Sequence, residues 1–176
     1  PVCGINMGTL GFMADIEQNE LEQRLEKLCA GDYHVEWRPF LAGYVTKPDG
    51  TEHFLGHAIN DIVVMKGDVA RIISLALRVN DTPLVECKAD GFIVATPTGS
   101  TAYSLSAGGP IMNPMVKGIV LTPICPHTLN IRPLIIREED AVHIHLVDTR
   151  QSIIVTLDGQ ETTPIHPDDT VTVKCS

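Results

Sequence analysis

The residues best equipped for chemistry lie in the stretch Asp90-Gly91-Phe92-Ile93-Val94-Ala95-Thr96-Pro97-Thr98-Gly99-Ser100-Thr101-Ala102-Tyr103-Ser104-Leu105-Ser106-Ala107-Gly108-Gly109-Pro110. An apolar strand from Gly91 to Thr96 is expected to stop at Pro97 and Gly99, because proline brings no N–H to a ladder and glycine accepts a sharp bend. Small hydroxylated residues then open a helix at Ser100 or Thr101. Free backbone N–H groups at such a break, the hydroxyls of Ser100, Thr101 and Ser106, and the Tyr103 ring offer neutral hydrogen bonding beside a stacking surface. That set suits a purine and its ribose better than a bare phosphate. The same hydroxyls serve equally well to cap a helix, and the residues alone leave both readings open.

Other polar residues are weighed in the same way. Asn60-Asp61 interrupts the apolar run from Ala58 to Met65, and a polar pair buried in a strand is costly unless bonded, so it reads as a site ahead of a bulge. Arg71 and Lys88 taken singly read as solvated strand charges, and Asp90-Gly91 as a turn. His143 and His145 share one strand face, as His53 and His57 could, but no third ligand has metal-binding spacing, so no metal site is assigned. Cys125-Pro126-His127 does not read as nucleophile and base, since sequence neighbours rarely face each other and the flanking prolines make a rigid connection. Ser104-Leu105-Ser106-Ala107-Gly108 lacks the first glycine of a nucleophile elbow.

The elements that must position these residues are mostly strands. Leu21, Leu25 and Leu28 recur at helical spacing, with Asn19 and Glu22 resembling a capping box and Gly31 placed to stop the helix. Before it, the glycine-punctuated stretch from Gly4 to Met13 reads as a turn after a strand, as though the chain began in mid-fold. Past Pro39 the pattern becomes period two: Ile73, Leu75, Leu77 and Val79 alternate with polar or small residues, as do Val142, Ile144 and Leu146. Further strands are expected over Phe40 to Val45, Ala58 to Met65, Leu84 to Lys88, Ile119 to Ile124, Ile153 to Leu157, Glu161 to Ile165 and Val171 to Lys174. Asp158-Gly159 is a strong hairpin signal because both residues tolerate positive φ. The expectation is a sandwich-like β domain over residues 39–176 with one helix inserted after Thr98, preceded by a small α/β remnant over residues 1–38.

Bulk composition narrows the function classes. With 176 residues, 44% hydrophobic, 20% charged and 5% aromatic, the chain is globular with an aliphatic core. A net charge of −9 repels nucleic acid, and no basic cluster with interleaved aromatics reverses that locally. Cys3, Cys29, Cys87, Cys125 and Cys175 form no CxxC pair, which fits a reduced, cytoplasmic setting. No apolar run is long enough to span a bilayer, and no signal-peptide pattern opens the chain.

The run from Thr96 to Pro110 closely resembles the signature of the NAD kinase family. Leu121-Thr122-Pro123-Ile124-Cys125-Pro126-His127-Thr128-Leu129 with Arg132-Pro133-Leu134 resembles the family's next block, Gly4 to Asp15 looks like its GxNxGxLGF stretch, and Asn60-Asp61 stands where it usually has Asn-Glu. The resemblance implies a two-domain α/β kinase of which this chain is the β-rich NAD-binding part, transferring a phosphoryl group from ATP or polyphosphate to the 2′-hydroxyl of the NAD adenosine ribose, with Mg²⁺ on the phosphates. It implies that Asn60 and Asp61 meet the ribose and pyrophosphate region. Thr101, Ala102, Tyr103, Ser104, Leu105 and Ser106 hold the adenosine, and Asp90 meets the nicotinamide end, in many members across the interface of a homodimer or homotetramer. Arg71 and Lys88 fall at nucleotide-contact positions, with Gln160 a weaker match. Two departures stand out. The family's GGDGT motif, whose aspartate is taken as the base, does not occur, and the family's segment beyond Ser176 is missing, so the chain reads as trimmed at both ends with no catalytic base of its own. Asp61 in place of glutamate keeps the charge on a shorter arm. The alternatives are a lipid kinase of the diacylglycerol or sphingosine type, and a non-catalytic nucleotide-binding module.

Overall fold

The structure is a computed structural model that describes residues 1–8, 14, 16–67, 72–128, 130–147 and 152–176. The chain divides into two compact units, Pro1–Trp37 and Arg38–Ser176.

In the first unit, β1 (Ile5–Asn6) pairs in parallel with β2 (Ile16–Glu17), and a 3₁₀ turn over Gln18–Glu20 leads into α1 (Leu21–Cys29). The expected capping box does not form: no side chain caps the 3₁₀ turn or α1, and Glu20 instead pairs with Arg24 one turn on, at 3.2 Å. Gly31 does stop the helix. Its φ of +78° lets Asp32 N–H reach back to the Lys27 carbonyl at 2.9 Å. Most of the interior of the Gly4 to Asp15 stretch lies outside the described residues.

The second unit runs β3 (Leu41–Thr46), β4 (Glu52–Ala58), β5 (Asp61–Lys66), β6 (Ile73–Val79), β7 (Thr82–Ala89), β8 (Gly91–Ala95), a 3₁₀ turn over Thr98–Thr101, α2 (Tyr103–Ser106), β9 (Gly118–Ile124), β10 (Leu134–Arg137), β11 (Val142–Leu146), β12 (Ile153–Leu157), β13 (Glu161–Ile165) and β14 (Thr170–Cys175). These strands form two six-stranded sheets, β10-β9-β8-β5-β12-β13 and β4-β3-β14-β11-β6-β7. Ile62, Val64, Phe92, Val94, Leu121 and Val155 of the first sheet share one core with Leu41, Leu75, Leu77, Ile144, Val171 and Val173 of the second. The chain is a mostly β, two-sheet sandwich, as its period-two runs predict.

The first sheet is also covered on its outer face. Val63, Ile93, Ala95, Val120 and Ile124 point away from the shared core and pack with Met112 in a second cluster, against which Ala107 lies. Strands buried on both sides read as near-continuous apolar runs, as β8 does throughout and β9 does apart from Thr122.

The strand expected from Ala58 to Met65 starts late: β5 begins in the first sheet only at Asp61, the chain crosses at Ile59 and Asn60, and Ala58 is the last residue of β4, a strand of the second sheet that was not expected over residues 52–57. The helix expected after Thr98 is a 3₁₀ turn followed by the one-turn α2, which starts at Tyr103 and not at Ser100 or Thr101, because Ala102, at φ −92° and ψ −128°, separates the two. β10 arises where no strand was expected; Leu134-Ile135-Ile136-Arg137 shows no polar alternation and pairs with β9 as an edge.

Candidate functional site

The outer face of the first sheet is only partly roofed. Residues 97–112 fold down over β8 and β9, where the Ser104 hydroxyl meets that of Thr122 at 2.8 Å and Ser100 Oγ accepts the Met112 N–H at 3.0 Å while donating to the Pro97 carbonyl at 2.6 Å. Gly109 makes this approach possible, since a side chain there would run into Ser104 and Thr122. Over β5 and β12 the roof stops. A cavity of about 410 Å³ opens there, lined by Asn60, Asp61, Val63, Met65, Ala102, Tyr103, Thr156, Asp158 and Gly159. Its size falls within the range of ligand pockets, about 300–1,000 Å³.

The period of two explains the floor. Asp61, Val63 and Met65 alternate with core-facing Ile62 and Val64, and Thr156 stands opposite Val63 on β12. The rim comes from the crossover corner. Its backbone is held from both sides: the Asp158 carboxylate accepts the N–H groups of Ile59 (2.8 Å), Asn60 (2.8 Å) and Asp61 (3.0 Å). Thr96 takes the carbonyls, its hydroxyl donating to Ile59 O at 2.6 Å and its N–H to Asn60 O at 2.9 Å. Gly99 lies so close that a side chain there would collide with the Asn60 backbone. With the backbone satisfied, the Asn60 side-chain amide makes no hydrogen bond among the described residues and is left to the cavity.

Asp61 is the electrostatic centre. Burial first, and then the Asp158 carboxylate, push its carboxyl up to about 6, against a lowering pull from the Tyr103 backbone N–H. The Asp61 carboxylate can accept hydrogen bonds from hydroxyls and together with Asp158 repels phosphate, while the half-exposed Tyr103 ring supplies a flat wall. The cavity therefore suits a neutral, hydroxyl-bearing, planar group. Among the described residues no group of three or more His, Cys, Asp or Glu is placed to hold a metal.

Of the residues singled out in the sequence, Asn60, Asp61, Ala102 and Tyr103 come together at this cavity. The expectation of a free row of hydroxyls is corrected at Ser100 and Ser104, which are buried and bonded inside the roof, and Thr101 Oγ1 turns back to the Thr98 carbonyl at 3.2 Å. Leu105 and Ser106 are exposed on α2 and do not line the cavity. Asp90 pairs with Lys66 at 2.7 Å, at the far end of β5 from Asp61, about 17 Å along the strand at ~3.4 Å per residue. Lys88 is exposed on β7, in the other sheet. Gln160 follows the hairpin turn and is exposed. Arg71 lies outside the described residues. Sequence reasoning missed Thr96, Thr156 and the part played by Asp158, which it read as a turn residue only. The one available signal was Thr156, a polar residue within the otherwise apolar run from Ile153 to Leu157.

Two facing sheets with a cleft cut beside a strand crossover define a β-sandwich with a nucleoside-sized pocket. The sequence matches the ATP-NAD kinase C-terminal domain over residues 59–176. The chain belongs to that family. It is 44% identical over 174 residues to the NAD kinase of Heliobacterium modesticaldum, covering 99% of this chain and 61% of that protein. With the NAD kinase of Magnetococcus marinus the identity is 40% over 176 residues, covering 100% of this chain and 58% of that protein. Among solved structures, yeast NADH kinase complexed with NADH superposes with a TM-score of 0.87 at 32% identity, covering 98% of this chain and 50% of that one. An NAD kinase from Archaeoglobus fulgidus in complex with ATP gives 0.82 at 30% identity, covering 100% and 65%. The chain thus spans about three fifths of the length of the curated relatives it matches.

Among the described residues no helix is long and apolar enough to cross a membrane, which leaves strands unaddressed.

Proposed function

We propose that the protein takes part in phosphorylating the 2′-hydroxyl of the NAD adenosine ribose to give NADP, and that this chain supplies the dinucleotide cradle. The observation that carries the reading is the convergence of Asn60, Asp61, Ala102 and Tyr103 on one cavity, in a chain of this family. In this reading the Asn60 amide and the Asp61 carboxylate orient the ribose by hydrogen bonds, which holds the reacting hydroxyl in one direction and removes part of the entropic barrier to transfer. The Tyr103 ring and Ala102 pack on the adenine, and the Thr101 to Ser106 segment frames it. Asp90, Arg71, Lys88 and Gln160 serve the remainder of the dinucleotide, with Asp90 reaching the nicotinamide end in a neighbouring subunit of a homodimer or homotetramer.

ATP or polyphosphate is the phosphoryl donor. Mg²⁺ commonly binds through one or two carboxylates plus substrate phosphates; held on the phosphates of the donor, the ion would neutralise charge on the transferred group. The cytoplasm is the expected compartment. The base comes from the GGDGT segment that the family carries.

A lipid kinase reading finds little support, because the apolar floor is limited to Val63 and Met65 and the rim is polar. Thermal-shift titration of the chain with NAD and with a sphingoid base tests the choice: stabilisation by NAD alone is expected, and stabilisation by the lipid alone overturns the assignment.

A further inference from the structure

Asp158 opens the turn between β12 and β13, at φ +48° with Gly159 at φ +66°. A turn of this kind needs residues tolerant of positive φ, and asparagine or glycine would serve at least as well. An aspartate in a turn ordinarily binds backbone a residue or two away. This one binds backbone 97 to 99 positions earlier in the chain, and it uses both oxygens: one accepts Asn60 N–H and Asp61 N–H, the other Ile59 N–H. Its own N–H closes the ring by donating to the Asp61 carbonyl at 3.0 Å. Three converging donors call for an acceptor with no hydrogen of its own. A carboxylate meets that need, whereas an amide would turn an NH₂ toward one of the N–H groups. The turn conformation therefore explains Gly159 and leaves the acid unexplained.

We propose that Asp158 is a positioning residue of this site: by gathering the N–H groups of Ile59, Asn60 and Asp61 it fixes the crossover corner so that the Asn60 amide and the Asp61 carboxyl face the incoming nucleotide. The inference rests on the nucleotide reading given above and extends it to a residue that acts through its neighbours. Asp158 also sets the charge of the site. It is the charged group that bears on Asp61, with the Tyr103 N–H as the opposing influence; Val63, Ala102 and Thr156 bring no charge to the same cavity.

The test uses Asp158→Asn and Asp158→Gly in the 176-residue chain, both of which keep a residue tolerant of the turn. Without ligand, the Ile59, Asn60 and Asp61 amides should exchange faster while those of β6 and β11 do not change. In carbon-13 titration the Asp61 carboxyl should fall from about 6 yet stay above 3.8, since burial, the larger cause, persists. NAD affinity by calorimetry should drop roughly tenfold or more, the effect of losing a charge-assisted hydrogen bond. Unchanged amide exchange with an unmoved Asp61 titration overturns the proposal, as does unaltered NAD affinity in a wild-type chain that binds NAD. If the wild-type chain binds no NAD, the nucleotide reading falls, and the ligand-free measurements alone decide whether Asp158 holds the corner. Should both variants fail to fold, the wild-type chain carries the test. The Ile59, Asn60 and Asp61 amides, each bonded to the Asp158 carboxylate, must then be protected from exchange like those of β5, and free exchange at all three overturns the proposal.

Discussion

Replacing Asp61 with asparagine should stabilise the chain at neutral pH while weakening its hold on NAD. The carboxyl is pushed to about 6 from an ordinary 3.8, by burial and by Asp158. At about 1.4 kcal/mol per tenfold, the ionised form is disfavoured in the fold by about 3 kcal/mol as an upper bound. The open side of the cavity hydrates the group in part, which brings the figure to about 2 kcal/mol. The direction follows from proton linkage. Below about pH 4 both folded and unfolded chains hold the proton and Asp61 makes no difference. Between about 4 and 6 the unfolded chain releases its proton while the folded chain keeps it, so stability falls as pH rises, and the loss persists above 6. Asparagine carries no such loss. Urea unfolding should therefore give a gap between Asp61→Asn and wild type that is near zero at about pH 4 and grows to about 2 kcal/mol by about pH 7.5. A variant no more stable than wild type at neutral pH, or a gap independent of pH, would show that the fold does not penalise the ionised Asp61 carboxyl.

Three further substitutions separate ligand-facing from structural residues. Asn60→Ala removes a side chain that the fold does not use, so NAD affinity should fall roughly tenfold by calorimetry with little change in melting temperature. Gly99→Ala sets a Cβ into the Asn60 backbone; a loss of about 3 kcal/mol or more in urea unfolding is expected. Ser104→Ala leaves the buried Thr122 hydroxyl without its partner, which should cost about 1–3 kcal/mol without changing NAD affinity in the folded fraction; a change in affinity would place Ser104 at the ligand instead.

What the sequence made legible was local. The alternation from Ile73 to Val79 and the Asp158-Gly159 hairpin emerge as read, because period and positive-φ tolerance depend on neighbours a few positions away. The crossover corner was illegible because Ala58 and Ile59 run on without a break in apolar character toward β5, and the groups that shape the corner, Thr96 and Asp158, lie dozens of residues off. Ser104 shows the same limit from the other side. Its hydroxyl reads as ligand-facing until Thr122, 18 positions on, is seen to meet it in the interior. Asp61 was singled out as a polar interruption of an apolar run, and that cost of burial is what lifts its carboxyl in the fold.

In the proposed reading the face of β5 and β12 beside the crossover corner receives NAD. Amide chemical shifts of the chain during NAD titration address it residue by residue. Saturable shifts at Asn60, Asp61, Ala102, Tyr103, Thr156 and Gly159, with the signals of β6 and β11 unmoved, are the expected result; no saturable change at those residues, or changes gathered on the second sheet, would rule out this face as the NAD site.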